Sequence, residues 1–296
     1  MSDQADVLRM LVRTRSGALP EAPPARSLLL TSGKGGTGTS NLALNLAIAL
    51  GEYGQRVLLV DADLGLANLD LLCGLSPLLD LGDVLAEGRP LAEAIVEGPG
   101  EIRILAGAHG NRTLAETLEA ADAPARLVEE LKALEVDNDF LVIDGGSGLT
   151  RSVPLLASAA DQVIVVTTPE PTSLADAHAA LGRLRRLAGK PRLRALVNQA
   201  RSSIEAAEVL ARLAASSREF LGVPIVPLGH VRADPRVPLA VRRRRPFLTE
   251  FPRSVAARGV RRLARTLIEE RRPHPRHRLG VFAALMTRRG PGRNAP

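Results

Sequence analysis

A doubly wound α/β fold, a mostly parallel sheet with helices on both faces, is what three observations in this sequence predict. Apolar runs at 28–30, 57–60, 140–143, 163–166 and 196–197 alternate with helix-length segments, as in a parallel sheet with helical crossovers. The runs at 57 and 140 end in Asp61 and Asp144, carboxylates at strand ends, where a metal-bound phosphate needs them. The first run feeds a glycine-rich loop that opens directly onto a proline-free helix pattern, the setting in which backbone N–H groups curl around an anion. At 296 residues the chain is long enough to bury a large core within one such domain.

Taken in order, Leu28, Leu29 and Leu30 form a short buried strand that leads into Thr31-Ser32-Gly33-Lys34-Gly35-Gly36-Thr37-Gly38-Thr39-Ser40. The pattern G-x-x-x-x-G-K-[ST] needs glycines for the cradle, a lysine for the β and γ phosphates, and a hydroxyl for Mg²⁺. Gly33, Gly38 and Ser40 fit it, but Thr39 stands where the lysine belongs, and Lys34 sits at the front of the loop instead. A glycine-rich turn between core elements is the plain alternative, and the flanking strand and helix (Leu42, Leu44, Leu46, Ile48, Leu50) argue against it. A second strand, 57–60, runs into Asp61, Asp63, Asn68 and Asp70; a polar turn before a helix would explain one of these aspartates better than three. A third, 140–143, ends in Asp144-Gly145-Gly146-Ser147-Gly148, whose glycines allow a loop to move with a bound phosphate. Two further strands lead to Thr167–Ala177 and to Asn198, and Asp234–Val237 precedes the run Arg242 to Arg245.

Composition narrows the class. The net charge of +7 is carried almost wholly by arginine, since lysine occurs only at 34, 132 and 190. A chain so sparing of lysine keeps one in the loop, so Lys34 is the expected phosphate contact. The arginine run at 242–245 suits an acidic partner, DNA or lipid, or else is a solvated helix face. Scarce aromatics disfavour nucleic acid as a partner, because single strands are held by base stacking. A single cysteine, Cys73, excludes an internal disulfide framework, suits a reducing cytoplasm, and lies in an apolar stretch as a small core residue. No apolar run reaches the length needed to span a bilayer.

These motifs together resemble the MinD/ParA family of dimeric P-loop ATPases. Lys34-Gly35-Gly36 matches its deviant Walker A signature, and 61–70 is close to its switch I pattern, D-x-D-x-G-x-x-N-x-D. The resemblance implies ATP and Mg²⁺ as ligands, with residues 33–40 (Gly33, Lys34, Gly35, Gly36, Thr37, Gly38, Thr39 and Ser40) and Asn198 binding nucleotide, the last at the adenine edge. It implies that Asp63 orients the attacking water, that Ser40, Asp61 and Asp144 serve Mg²⁺ partly through water, and that Lys34 reaches across an ATP-dependent homodimer. Relatives usually show Asp-Thr-Gly-Ala-Gly at 144–148, so Gly145 and Ser147 depart from the pattern.

The resemblance is strongest to the flagellar branch of that family, FlhG or FleN, through 167–177, 234–237 and an N-terminal D-Q-A-x-x-L-R element at 3–9. In that branch the element engages the GTPase FlhF, which assigns Gln4, Leu8 and Arg9 to partner binding. A glutamine amide both donates and accepts, so it can orient water in another protein's site. The expected organisation is a partner helix at 1–15, a Pro/Ala linker at 16–26, a nucleotide domain at 27–270 and a basic tail at 271–296. The tail reads as an amphipathic helix, with Leu279, Phe282, Leu285 and Met286 near one face, for peripheral contact with the inner face of the cell membrane. Pro273, Pro275 and Gly280 leave open an unordered segment.

The implied function is a nucleotide-switched regulator of flagellar number or placement, with a flagellar switch or transcription regulator as a further partner. A charge-assisted hydrogen bond is worth about 1.5–3 kcal/mol, so Thr39 predicts weak ATP binding and slow or absent hydrolysis. A non-hydrolysing scaffold is the alternative, and a ParA-like DNA-segregation protein a poorer one.

Overall fold

The computed structural model describes residues 24–63, 67–107, 123–147, 152–186 and 191–270. The N-terminal element with Gln4, Leu8 and Arg9, almost all of the linker, and the tail from 271 lie outside the described residues. In chain order the elements are β1 (Arg26–Ser32), α1 (Thr39–Glu52), β2 (Val57–Asp61), α2 (Leu69–Cys73), α3 (Leu81–Glu87), β3 (Ile95–Glu97), β4 (Arg103–Leu105) and α4 (Ala123–Ala133). They continue as β5 (Phe140–Ser147), α5 (Ser152–Ala159), β6 (Gln162–Thr167), α6 (Pro171–Leu184), β7 (Arg192–Ala200), α7 (Ser203–Ser216), β8 (Val226–Arg232), α8 (Arg236–Arg242), α9 (Phe247–Glu250) and α10 (Val255–Glu269).

The strands form one eight-stranded sheet in the order β3-β4-β2-β5-β1-β6-β7-β8. All neighbours are parallel except β3 and β4 at one edge. β1, β2 and β6 are buried along their whole length, which is why they read as unbroken apolar runs rather than as alternating ones. Alternate side chains still feed two layers: Leu28 and Leu30 pack with α1 and α10, whereas Leu29 packs with α5 and α6. The sequence expectation of a doubly wound sheet holds, and α1 begins at the loop's end as the motif requires.

At the strand starts, opposite the loop, Arg26, Arg192 and Arg194 converge on Glu270. Arg194 is 2 % exposed and lies 2.7 Å from the Glu270 carboxylate, with Arg192 at 3.1 Å and Arg26 at 3.8 Å. Burial pulls the Arg194 pKa down while Glu270 opposes that shift. One carboxylate thereby fixes the end of α10 to the first residues of β1 and β7.

The turn after α4 buries Glu135, which is 7 % exposed. Burial, reinforced by Asp161, pushes its pKa up to about 7 from 4.5. The folded chain therefore holds a proton that the unfolded chain has already lost, and stability falls as pH rises between those two values. Glu135→Gln is expected to match the wild type at pH 4.5 and to exceed it by about 1–2 kcal/mol above pH 7. Urea denaturation at the two pH values checks this; an equal difference at both would remove the account.

Candidate functional site

β2 and β5 lie on one side of β1 and β6 to β8 on the other, so the crevice where ligands enter open α/β sheets falls beside the loop that follows β1. A cavity of about 1090 Å³ opens there, lined by Gly35 to Leu42, Asp63, Ser147, Asn198 and the segment between β8 and α8. Among the described residues, the N–H groups of Gly35 to Ser40 donate no backbone hydrogen bond. They are the unsatisfied donors of a loop and a helix start, and α1 adds the positive end of its dipole.

Thr39 is 5 % exposed and occupies the first turn of α1. Its Oγ1 lies 3.0 Å from Thr37 Oγ1, so where the pattern calls for a cation two hydroxyls pair with each other. The loop's shape is held from outside by β7: Asn198 Nδ2 donates to the Thr37 carbonyl at 2.8 Å, and Gln199 Nε2 to that of Gly36 at 3.4 Å. Asn198, assigned from sequence to a base edge, lines the cavity and gives one of its two amide N–H donors to the loop backbone.

Gly33 and Lys34 lie outside that lining. A Cβ on Gly33 would meet the Asp176 carbonyl carbon at 2.2 Å, so the glycine lets β1's exit press against the backbone of α6. Lys34 has its Nζ bonded to Glu170 at 2.8 Å and to Thr172 Oγ1 at 3.0 Å at the start of α6.

The acidic residues do converge. Asp61 and Asp144 are partners in the β2–β5 ladder, both essentially inaccessible to solvent. Asp61 accepts from the N–H groups of Asp63 at 3.2 Å, Asn68 at 3.0 Å and Leu69 at 3.1 Å, and so shapes the entry to α2. Burial first, then Asp144, raises its pKa against those three bonds. Burial likewise raises Asp144, while a hydrogen bond with the Ser40 hydroxyl and the Gly146 N–H at 3.0 Å oppose it. Asp63 sits over Gly146, whose φ is +66° and whose Cβ would fall 2.1 Å from the Asp63 carboxylate, so a side chain there is doubly excluded.

This donor set fits Mg²⁺. Asp144 Oδ2 is buried with no hydrogen-bond partner, and the Ser40 hydroxyl lies against the same carboxyl group. Among the described residues no three carboxylates, histidines or cysteines converge to chelate a metal alone, so ligand oxygens and water would complete the shell.

Sequence reasoning missed Gln199, the Asp63–Gly146 contact, and Arg232, Arg242 and Arg244 in the lining. Arg242 ends α8, and 243–245 form an exposed turn rather than a helix face. Cys73 behaves as expected of a packed thiol, burial pushing it up to about 12. No helix among the described residues is long and apolar enough to cross a membrane.

Residues 28–247 match the CobQ/CobB/MinD/ParA nucleotide binding domain. The chain is 37% identical to the antiactivator FleN of Pseudomonas aeruginosa over 88% of its own length and 92% of that protein's. It is 35% identical to the flagellum site-determining protein YlxH of Helicobacter pylori, over 52% of each. Among solved structures, the septum site-determining protein MinD complexed with Mg-ADP from Pyrococcus horikoshii superposes with a TM-score of 0.68 at 30% identity, over 83% of this chain and 96% of that one.

Proposed function

Because this chain belongs to the CobQ/CobB/MinD/ParA nucleotide-binding family, we propose that it is a MinD-like regulator of flagellar number or placement, switched by an adenine nucleotide and Mg²⁺. The observation that carries this reading is the set of undonated N–H groups from Gly35 to Ser40 lining one cavity with Asp63, beside the buried Asp144, which meets that loop at the Ser40 hydroxyl. The likeness to FleN and YlxH supports the flagellar role, and MinD with Mg-ADP supports the ligand.

In this reading the loop amides and the N-terminus of α1 hold phosphate oxygens, and Ser40 with Asp144 takes the metal. The metal's contribution is to neutralise phosphate charge. Asp63, held over Gly146, positions water and links the segment after β2 to the loop after β5, so that both respond to the same phosphate. Lys34, bonded here to Glu170, exchanges that partner for nucleotide when two copies associate. Gln4, Leu8 and Arg9 dock a partner GTPase, and the segment 271–296 provides peripheral membrane contact.

A second reading, a non-hydrolysing scaffold, is favoured by the Thr37–Thr39 hydroxyl pair standing where a lysine would act. Equilibrium ATP binding measured beside turnover separates the two. Weak binding with slow, dimer-dependent turnover is expected; binding with no turnover at any protein concentration selects the scaffold, and no binding removes both. Deleting residues 1–15 should leave nucleotide binding unchanged and abolish stimulation of an FlhF-type GTPase. Equal stimulation by the truncated chain would show that this element has no such role.

A further inference from the structure

The run Arg242 to Arg245 is divided by the fold into two pairs with different jobs. Arg243 and Arg245 turn to Glu250, at 2.6 and 3.9 Å. Arg242 and Arg244 instead line the cavity, exposed and without an ion pair among the described residues. Four like charges in sequence thus become two arginines that share one carboxylate and two that face the same space as the phosphate loop.

The charges lining that space are two carboxylates, Asp63 and Asp234, and three arginines. The loop carries Thr39 in place of its cation, and Lys34 is outside the lining and paired with Glu170 at 2.8 Å. The cations that do line the cavity are Arg232, Arg242 and Arg244, and Arg232 already gives its Nε to the Arg201 carbonyl at 3.3 Å.

Backbone geometry fixes where this turn sits. Arg244 has φ +53°, a left-handed conformation that costs a non-glycine residue about 1 kcal/mol or more and persists only where its surroundings impose it. The end of α8 imposes it: Arg244 follows the C-cap Arg243, and the Arg245 N–H bonds back to the Ala240 carbonyl at 3.1 Å. The Arg244 carbonyl in turn lies against Gly74, the left-handed residue that ends α2, where a Cβ would meet it at 3.2 Å. The Leu248 N–H, bonded to Asn45 Oδ1 at 2.8 Å, fixes the same segment to α1. The turn is therefore fastened to the two helices that border the loop and the acidic residues, with its arginines beside the ligand space.

We propose that Arg242 and Arg244 bind the phosphate chain of the nucleotide and supply the positive charge that Thr39 lacks. The inference rests on the nucleotide reading above. A planar guanidinium suits this task, because its fork of donors meets two phosphate oxygens at once and its charge does not titrate away.

The test is equilibrium binding of Mg-ATP, Mg-ADP and AMP to the full chain and to Arg242→Ala, Arg244→Ala, the double variant, Arg244→Lys and Arg244→Gly. Each alanine is expected to weaken ATP about tenfold, as for one charge-assisted contact. The loss should shrink from ATP to ADP to AMP as phosphates are removed, and lysine should recover part of it. Arg244→Gly should weaken ATP as alanine does while leaving the thermal midpoint unchanged or raised, since glycine suits the left-handed backbone; a residue that only holds the fold would not split the two readouts. Wild-type ATP affinity in the double variant, or an equal loss for AMP and ATP, overturns this proposal alone. A wild-type chain that binds none of the three overturns the nucleotide reading with it.

Discussion

Thr39→Lys is expected to raise ATP affinity by about tenfold or more and turnover by a larger factor. Thr39 lines the cavity in the first turn of α1 and spends its hydroxyl on Thr37 at 3.0 Å. Replacing it forfeits one exchange of neutral hydroxyls and places an ammonium on a flexible stem beside the loop amides. A charged hydrogen bond contributes about 1.5–3 kcal/mol to binding, and fixed charge counts for more as negative charge shifts during phosphoryl transfer. The affinity and the rate constant, measured on the same preparations, check both halves. A wild type that already hydrolyses ATP as fast as the variant would mean that another group does the lysine's work in full.

Glu270→Ala should cost about 3 kcal/mol of folding stability, the largest loss expected of any single ion-pair truncation among the described residues. The carboxylate is shared by Arg194, Arg192 and Arg26, and Arg194 is buried where water cannot replace it. Removing one partner of such a group leaves the other charge uncompensated, whereas replacing both by apolar residues of similar volume is often neutral. Arg194→Met combined with Glu270→Leu should therefore recover much of what Glu270→Ala loses. Denaturant midpoints decide it: an alanine variant within about 0.5 kcal/mol of wild type, the range of ordinary surface changes, would show that the cluster contributes little.

What the sequence disclosed follows from how local each feature is. β1, β2 and β6 were legible because strands covered on both faces need no polar residues, and their apolar runs stand out. The phosphate loop and the acidic segments after β2 and β5 were legible because each is a short stretch whose residues act at fixed spacing. The antiparallel pair β3–β4 was not, being three residues per strand and only partly covered. Nor could sequence show that Gly33 serves α6, that Asn198 and Gln199 hold the loop's carbonyls, or that alternate members of one arginine run face opposite ways. Each of those depends on which distant segment the fold brings alongside, and no periodicity encodes that.

The clasp on Glu270 gives the molecule a front and a back. The cavity opens where the parallel strands end, while the last described residue is tethered where β1 and β7 begin. A contact made at residue 270 itself would meet the face opposite the cavity. The cavity face is turned away from that point. Immobilisation through the C-terminus should accordingly preserve nucleotide exchange, and attachment near residue 74 or 244, at the cavity's rim, should impair it.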